Sequence, residues 1–286
     1  MKITDLYRDN KRTLSFEIFP PKRDDELRNI DDTLEVLSEL KPDFISVTFG
    51  AGGSSNCNRT IELAKKIKYE YKIEPVVHLT CLHYDREEID EFARILKEEG
   101  IENILALRGD PNPNAAAKDD FKHPSDLISY LKKENDFCFL GACYPECHPE
   151  STNMISEMKS LQKKVDAGAE VLLSQLFFDN EIFYRFHEDC EIAGIDIPVI
   201  PGVMPVINAA QIKRIVPMCH ASFPRRFQQI ISRYEDNKDA LFDAGMSYCL
   251  SQIIDLLVSD IKGIHLYTMN NPLVARKICE GIKNII

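Results

Sequence analysis

The stretch Val76-Val77-His78-Leu79, the amphipathic run Arg86–Glu99 behind it, and then Ile104-Leu105-Ala106-Leu107 leading into Arg108-Gly109-Asp110-Pro111 decide the fold. Two short apolar runs, rich in β-branched residues and separated by a helix-length segment of mixed charge, make a β-α-β unit. A sharp change to polar residues marks the end of the second run.

The same unit recurs in both directions. Runs at Leu14–Ile18, Phe44–Thr48, Val76–Leu79, Ile104–Leu107, Phe139–Ala142, Val171–Ser174, Pro198–Ile200 and Ile264–Tyr267 read as eight strands, the first seven starting about 30 residues apart. Helices are expected over Asp24–Leu40, Arg59–Tyr71, Arg86–Glu99, Ser125–Asn135, Asn153–Ala167, Glu181–Ala193 and Ala209–Pro217. In the first of these, Ile30, Leu34 and Leu37 have the spacing of a face packed on a sheet. The long last interval holds two further helices, Phe223–Tyr234 and Ala240–Ile261, and residues 273–284 close the ring. With no linker or composition shift between units, the pattern favours an α/β fold, one (β/α)8 TIM barrel over residues 1–286 with extra helices before the last strand. An open doubly wound sheet is the runner-up.

Composition narrows the function. The 286 residues are 44% hydrophobic and 28% charged, enough for a large core, and the net charge of -11 argues against a nucleic-acid binder. No apolar run reaches the roughly 18 residues of a membrane span, and Met1–Asn10 is charged where a secretory signal would be apolar. The nine scattered cysteines fit reduced thiols. A cytoplasmic protein without membrane contact is expected.

In a barrel of this kind chemistry collects at the carboxyl ends of the strands. There the sequence places Glu17 ahead of Phe19-Pro20-Pro21, Thr48 ahead of Phe49-Gly50-Ala51, His78-Leu79-Thr80-Cys81, Arg108-Gly109-Asp110, Tyr144-Pro145-Glu146-Cys147-His148, and Gln175-Leu176-Phe177-Phe178-Asp179. Each could serve an ion pair or a turn alone; six ends carrying polar groups to one rim point to a site. His78, Cys81 and His83 suggest zinc, but strand alternation sends neighbours to opposite faces and a second ligand pair is missing, so no metal is expected. No G-x-G-x-x-G or Walker sequence occurs, and the Gly50-Ala51-Gly52-Gly53 turn could receive a phosphate or merely reverse the chain.

These motifs, taken in order, together with Ser15-Phe16-Glu17-Ile18-Phe19-Pro20-Pro21-Lys22, Lys164-Val165-Asp166-Ala167-Gly168-Ala169 and Leu266-Tyr267-Thr268-Met269-Asn270, resemble methylenetetrahydrofolate reductases over nearly the whole chain. The resemblance implies FAD as cofactor, NADH or NADPH as reductant, and methylenetetrahydrofolate as substrate. It implies Glu17 as general acid, Asp110 beside the flavin ring, and Gln175 and Gln211 on the folate. Thr48, His78, Arg108, Gly109, Tyr144, His148 and Lys164 fall on its FAD-contacting stretches. It further implies a homo-oligomer of the short microbial type, in one-carbon metabolism, and admits a separate electron-transfer subunit. Two positions depart from the pattern. Asn271 stands where many members carry an Arg for the folate's glutamate tail, and Ile215 where some place a Phe.

On this reading the folate step needs a proton to open a five-membered ring, and Glu17, flanked by Phe16, Ile18 and Phe19, is apolar enough to hold one near neutral pH. Asp110 as an anion would stabilise the cationic iminium. The alternatives are a flavin-free folate-dependent methyltransferase barrel and a noncatalytic folate-binding subunit.

Overall fold

The computed structural model describes residues 1–8, 11–21, 27–49, 54–111, 117–208, 210–211, 215, 219 and 221–286. Lys22, the Gly50–Gly53 turn, the start of the helix expected from Asp24 and most of that expected over 209–217 lie outside the described residues.

The apolar runs form parallel strands: β1 (Thr13–Ile18), β2 (Phe44–Val47), β3 (Glu74–Thr80), β4 (Asn103–Leu107), β5 (Cys138–Cys143), β6 (Ala169–Ser174), β7 (Val199–Ile200), β8 (Gly202–Val203) and β9 (Gly263–Tyr267). Along β1 and β2 every residue but Glu17 is buried, as in a parallel sheet covered on both faces. The helices are α1 (Leu27–Glu39), α2 (Ser54–Tyr69), α3 (Arg86–Glu98), α4 (Pro124–Leu131), α5 (Met154–Ala167), α6 (Asn180–Ile192), α7 (Arg225–Tyr234), α8 (Lys238–Val258) and α9 (Pro272–Ile282).

Strand neighbours run β7-β6-β5-β4-β3-β2-β1-β9-β8. The two end pieces, β7 and β8, are separated only by Pro201, so they are halves of one seventh stave and the ring of eight closes. The break follows from proline, which has no N–H to give a ladder. Pro201 O still accepts from His265 N (3.0 Å), while Gly202 N turns to Ser174 Oγ (2.9 Å). Gly202 is needed here: a Cβ would lie 2.3 Å from Ser174 O and 2.6 Å from the Tyr267 ring. The expected strand Pro198–Ile200 is therefore the first half of a longer, interrupted one.

The barrel interior is filled by Phe44, Val76, Leu105, Cys138, Leu140, Val171, Leu173 and Ile200. Each large side chain so buried contributes about 1.5–3 kcal/mol. A 3-10 helix, Ile3–Tyr7, which the sequence reading does not anticipate, closes the amino-terminal end by burying Ile3 and giving Ile3 N to Asn103 Oδ1 (2.8 Å). Polar chemistry is thereby left to the opposite mouth.

Helix starts are set by side-chain caps. Asp85 and Glu88 exchange backbone N–H bonds at the start of α3, and Asn271 Oδ1 accepts from Val274 N (3.3 Å) at the start of α9. By length and composition α8 could cross a membrane, but Leu241, Met246, Cys249, Ile253, Leu256 and Leu257 are buried, and Gln252 Nε2 donates to Phe177 O (3.0 Å). It is a barrel helix with an apolar inner face.

Candidate active site

A cavity of about 860 Å³ opens at the carboxyl ends of the strands. Glu17, Thr48, His78, Arg108, Gly109, Asp110, Tyr144, His148 and Gln175 all line it, so nine of the expected positions meet in one place. Lys164 and Gln211 do not line it. Lys164, buried on α5, donates from Nζ to Ala142 O (2.7 Å) and sits 5.7 Å from the Tyr144 ring centroid, behind the wall. Gln211 accepts from Ile207 N (3.1 Å) and donates to Pro205 O (3.2 Å), stapling its own turn.

Glu17 stands at the inner end of the cavity with its side chain only 12% exposed. Its carboxyl makes no hydrogen bond among the described residues, and burial pushes its pKa up to about 8. The nearest partner is His78 Nε2, at 3.6 Å from Oε2, too far for a hydrogen bond. Burial holds His78 down at about 3, so this pair is a neutral imidazole facing a protonated acid at neutral pH. His265, held down at about 3 by burial and by His78, lies in the floor between Ser15 Oγ (2.8 Å) and Ser46 Oγ (3.4 Å).

Towards the outside the wall is cationic and aromatic. Arg108 pairs through both guanidinium nitrogens with the exposed Glu150, which holds that carboxyl low. Tyr144 and His148 meet edge to face at 4.8 Å, and His148 is kept low first by burial and then by Arg108. Gly109 has φ +86°, and a Cβ there would come 3.0 Å from Thr80 Cβ, so the strand-end backbone stays open to a ligand. Gln175 is fixed by its N–H to Cys143 O (2.7 Å) and by Oε1 accepting from Leu176 N (2.9 Å), while its Nε2 makes no bond among the described residues.

Sequence reasoning quotes Phe49, Thr80 and Tyr267 within its motifs without giving them a role, and misses Tyr84, Glu87, Glu88, Glu91, Phe92 and His265; all of these line the cavity. For β9 a signal exists: His265 and Tyr267 are alternate residues of a strand, hence on one face, in an otherwise apolar run.

The family profile described as methylenetetrahydrofolate reductase matches residues 2–283. The chain belongs to that family. The 5,10-methylenetetrahydrofolate reductases of Pectobacterium carotovorum subsp. carotovorum and Escherichia coli (strain K12) are each 35% identical over 269 residues, covering 94% of this chain and 89% and 90% of theirs. Methylenetetrahydrofolate reductase (NADH) 1 of Arabidopsis thaliana is 33% identical over 285 residues, 94% of this chain and 48% of that one. Among solved structures, an uncharacterized protein from Clostridium thermocellum, described as binding two copies of 5-methyl-5,6,7,8-tetrahydrofolic acid, superposes with a TM-score of 0.67 at 14% identity, covering 100% and 99% of the two chains. At that identity the likeness speaks for the barrel alone. As a methylenetetrahydrofolate reductase by family, the chain is an oxidoreductase that reduces methylenetetrahydrofolate to methyltetrahydrofolate.

Proposed function

We propose that the chain carries FAD in the mouth cavity and passes reducing equivalents from NADH or NADPH to methylenetetrahydrofolate, with Glu17 as the proton donor. A bound flavin would supply the two-electron carrier that no side chain provides. The donor set suits it. Arg108 and His148 offer cationic and hydrogen-bonding groups for a diphosphate, while Lys164, tied to Ala142 O behind Tyr144, backs that wall without lining it. Thr48, His78, Gly109 and Tyr144 line the same cavity, where His78 Nε2 is a buried polar atom without a hydrogen-bond partner among the described residues. A cavity of about 860 Å³ is within the usual range for a cofactor site.

The observation that carries the reading is the buried carboxyl of Glu17, which makes no hydrogen bond among the described residues. Raised to about 8, it is protonated at neutral pH and can give its proton to the departing ring nitrogen of the folate. The Asp110 carboxylate, on the same cavity wall, faces the positive charge that then develops. Gln175 Nε2 is the amide assigned to the folate from the cavity wall; Gln211, held by Ile207 N and Pro205 O outside the cavity, is assigned to it on the family resemblance alone. The plant relatives named NADH-dependent favour a reductase over a flavin-free methyltransferase. The same reading places the enzyme in the cytoplasm.

Heat release and chromatography of the cofactor test the proposal. FAD is expected, and FMN as the sole product would overturn the assignment. In anaerobic mixing, NADH should bleach the yellow protein and methylenetetrahydrofolate should restore its colour; a colourless protein sinks the flavin reading altogether.

A further inference from the structure

We propose that Tyr267 is a positioning residue for Glu17: its ring, strapped across the mouth to Ser174, is the wall that keeps water from the acid. The inference rests on the reading of Glu17 given above. In the parallel register of β1 and β9, Glu17 and Tyr267 are direct partners, and both line the cavity, so their side chains rise side by side from adjacent strands. A tyrosine beside a carboxyl would ordinarily offer it a hydrogen bond. Here the phenol is committed elsewhere, donating to Ser174 O at 2.6 Å.

That bond crosses the barrel's weak place. Ser174 ends β6, Tyr267 ends β9, and the interrupted stave β7/β8 lies between them. Gly202 leaves room for the crossing, since a Cβ there would lie 2.7 Å from the Tyr267 hydroxyl as well as against its ring. Ser174 Oγ holds the stave from the other side through Gly202 N (2.9 Å). Below, His265 meets the Tyr267 ring edge to face at 5.4 Å and is itself held by Ser15. The ring is thus fixed at its hydroxyl and from beneath, with Glu17 its neighbour on the adjoining strand.

The titratable groups lining the cavity with Glu17 are His78 on β3, His83 and Tyr84 beyond it, Glu87, Glu88 and Glu91 on α3, Arg108 and Asp110 beyond β4, Tyr144 and His148 beyond β5, and His265 and Tyr267 on β9; Cys219 also interacts with Glu17 and Asp110. None of their charges accounts for the raised pKa of Glu17. Burial alone does. A neutral wall that excludes water without donating a bond is the physical arrangement that produces such a shift, and on the β9 side Tyr267 supplies it.

The other role open to Tyr267 is a strut between β9 and β6, and the two roles separate on substitution. Tyr267→Phe keeps the ring and loses the tie; Tyr267→Ala loses both; Tyr267→Leu keeps an apolar but shorter wall. Infrared difference titration of the carboxyl C=O stretch in the purified holoenzyme, with Glu17→Gln as the blank, reads the acid without turnover. Single-turnover folate reduction across pH reads its consequence. For Tyr267→Phe the titration should stay within a few tenths of a unit of wild type, while for Tyr267→Ala it should fall by about one unit or more. The folate step would then slow about tenfold at pH above the new midpoint, with flavin reduction by NADH unchanged. Tyr267→Leu should fall between, and it replaces the Ala variant if melting shows the latter unfolded. A truncation that titrates with wild type, a Phe variant that shifts as far as Ala, or equal slowing of both half-reactions would each overturn the proposal. If instead wild type fails to bleach with NADH, the flavin reading fails, and if Glu17→Gln retains the folate step, the assignment of Glu17 fails; in either case the infrared comparison still judges the wall.

Discussion

Glu17 makes two predictions that pull in different directions. Glu17→Gln preserves size and removes the transferable proton, so flavin reduction by NADH should persist while the folate step slows by about 10²–10⁴. The same substitution should stabilise the fold. A carboxyl raised to about 8 in the native state from an ordinary 4.5 binds its proton more tightly folded than unfolded. Its contribution is fully present below pH 4.5 and is lost as pH rises through 8. Thermal melts of Glu17→Gln against wild type should therefore coincide near pH 4.5 and separate progressively up to pH 8, by on the order of a few kcal/mol, in favour of the variant. Equal melting across that range would mean the acid is solvated. His78 and His265 act with the opposite slope: both are held at about 3, so their stabilisation is complete above 6.5 and is lost as pH falls. Glu17 was legible in the sequence because a carboxylate among Phe16, Ile18 and Phe19 is a local anomaly. The place of Tyr267 beside it was not, because alternation with His265 marks only the face of β9 it stands on, and the register of β1 with β9 is what makes it the acid's neighbour.

At the scale of elements, Asn271 shows how a position singled out for ligand chemistry carries a structural duty as well. It is the N-cap of α9, with Pro272 next to it. Replacing it by Ala or Arg should cost about 1 kcal/mol of stability through the uncapped Val274 N–H, whereas Asp should keep the cap. Three equally stable variants in urea melts would deny the cap. Any gain in affinity for the folate tail from Asn271→Arg would have to be measured on that weakened background. Gly202 is the second test. An Ala at this point meets Ser174 O and the Tyr267 ring, so the interrupted stave must shift, at a cost of about 1–3 kcal/mol. The denaturant midpoint should fall accordingly, and an unchanged midpoint would show that the crossing yields freely. Helix positions were readable from periodicity, but α2 begins at Ser54, earlier than the Arg59 expected, and α4 ends at Leu131 rather than Asn135. Amphipathic spacing marks the packed middle of a helix; its ends depend on which backbone N–H and C=O groups find partners.

For the whole molecule, the β-α rhythm was legible because each strand must be buried on both faces and each helix on one, which imposes the repeat on the sequence. The closed barrel was read from that rhythm as well; the division of its seventh stave by Pro201 was not, since a lone proline in a short run does not show which neighbour each half pairs with. The site inherits this architecture: its groups come from the ends of β1 to β6 and of β9, elements held together by backbone ladders and touching across the mouth through few side chains. A ligand that bridges them should therefore stabilise the native state by mass action, about 2.7 kcal/mol at a hundredfold excess over its Kd. At roughly 2–4 °C per kcal/mol for a chain somewhat smaller than this one, that is about 5–10 °C in Tm. FAD should give the larger increment and FMN, lacking the adenylate half, a smaller one. Arg108 separates binding from folding in this experiment. Its ion pair with the exposed Glu150 is worth at most about 1 kcal/mol, so Arg108→Ala should melt close to wild type without added cofactor. With added FAD the variant should gain far less than wild type, because the cationic partner for the diphosphate is gone. Should Arg108→Ala keep the full FAD increment, the diphosphate lies away from this wall and the outer half of the proposed cofactor site is misplaced.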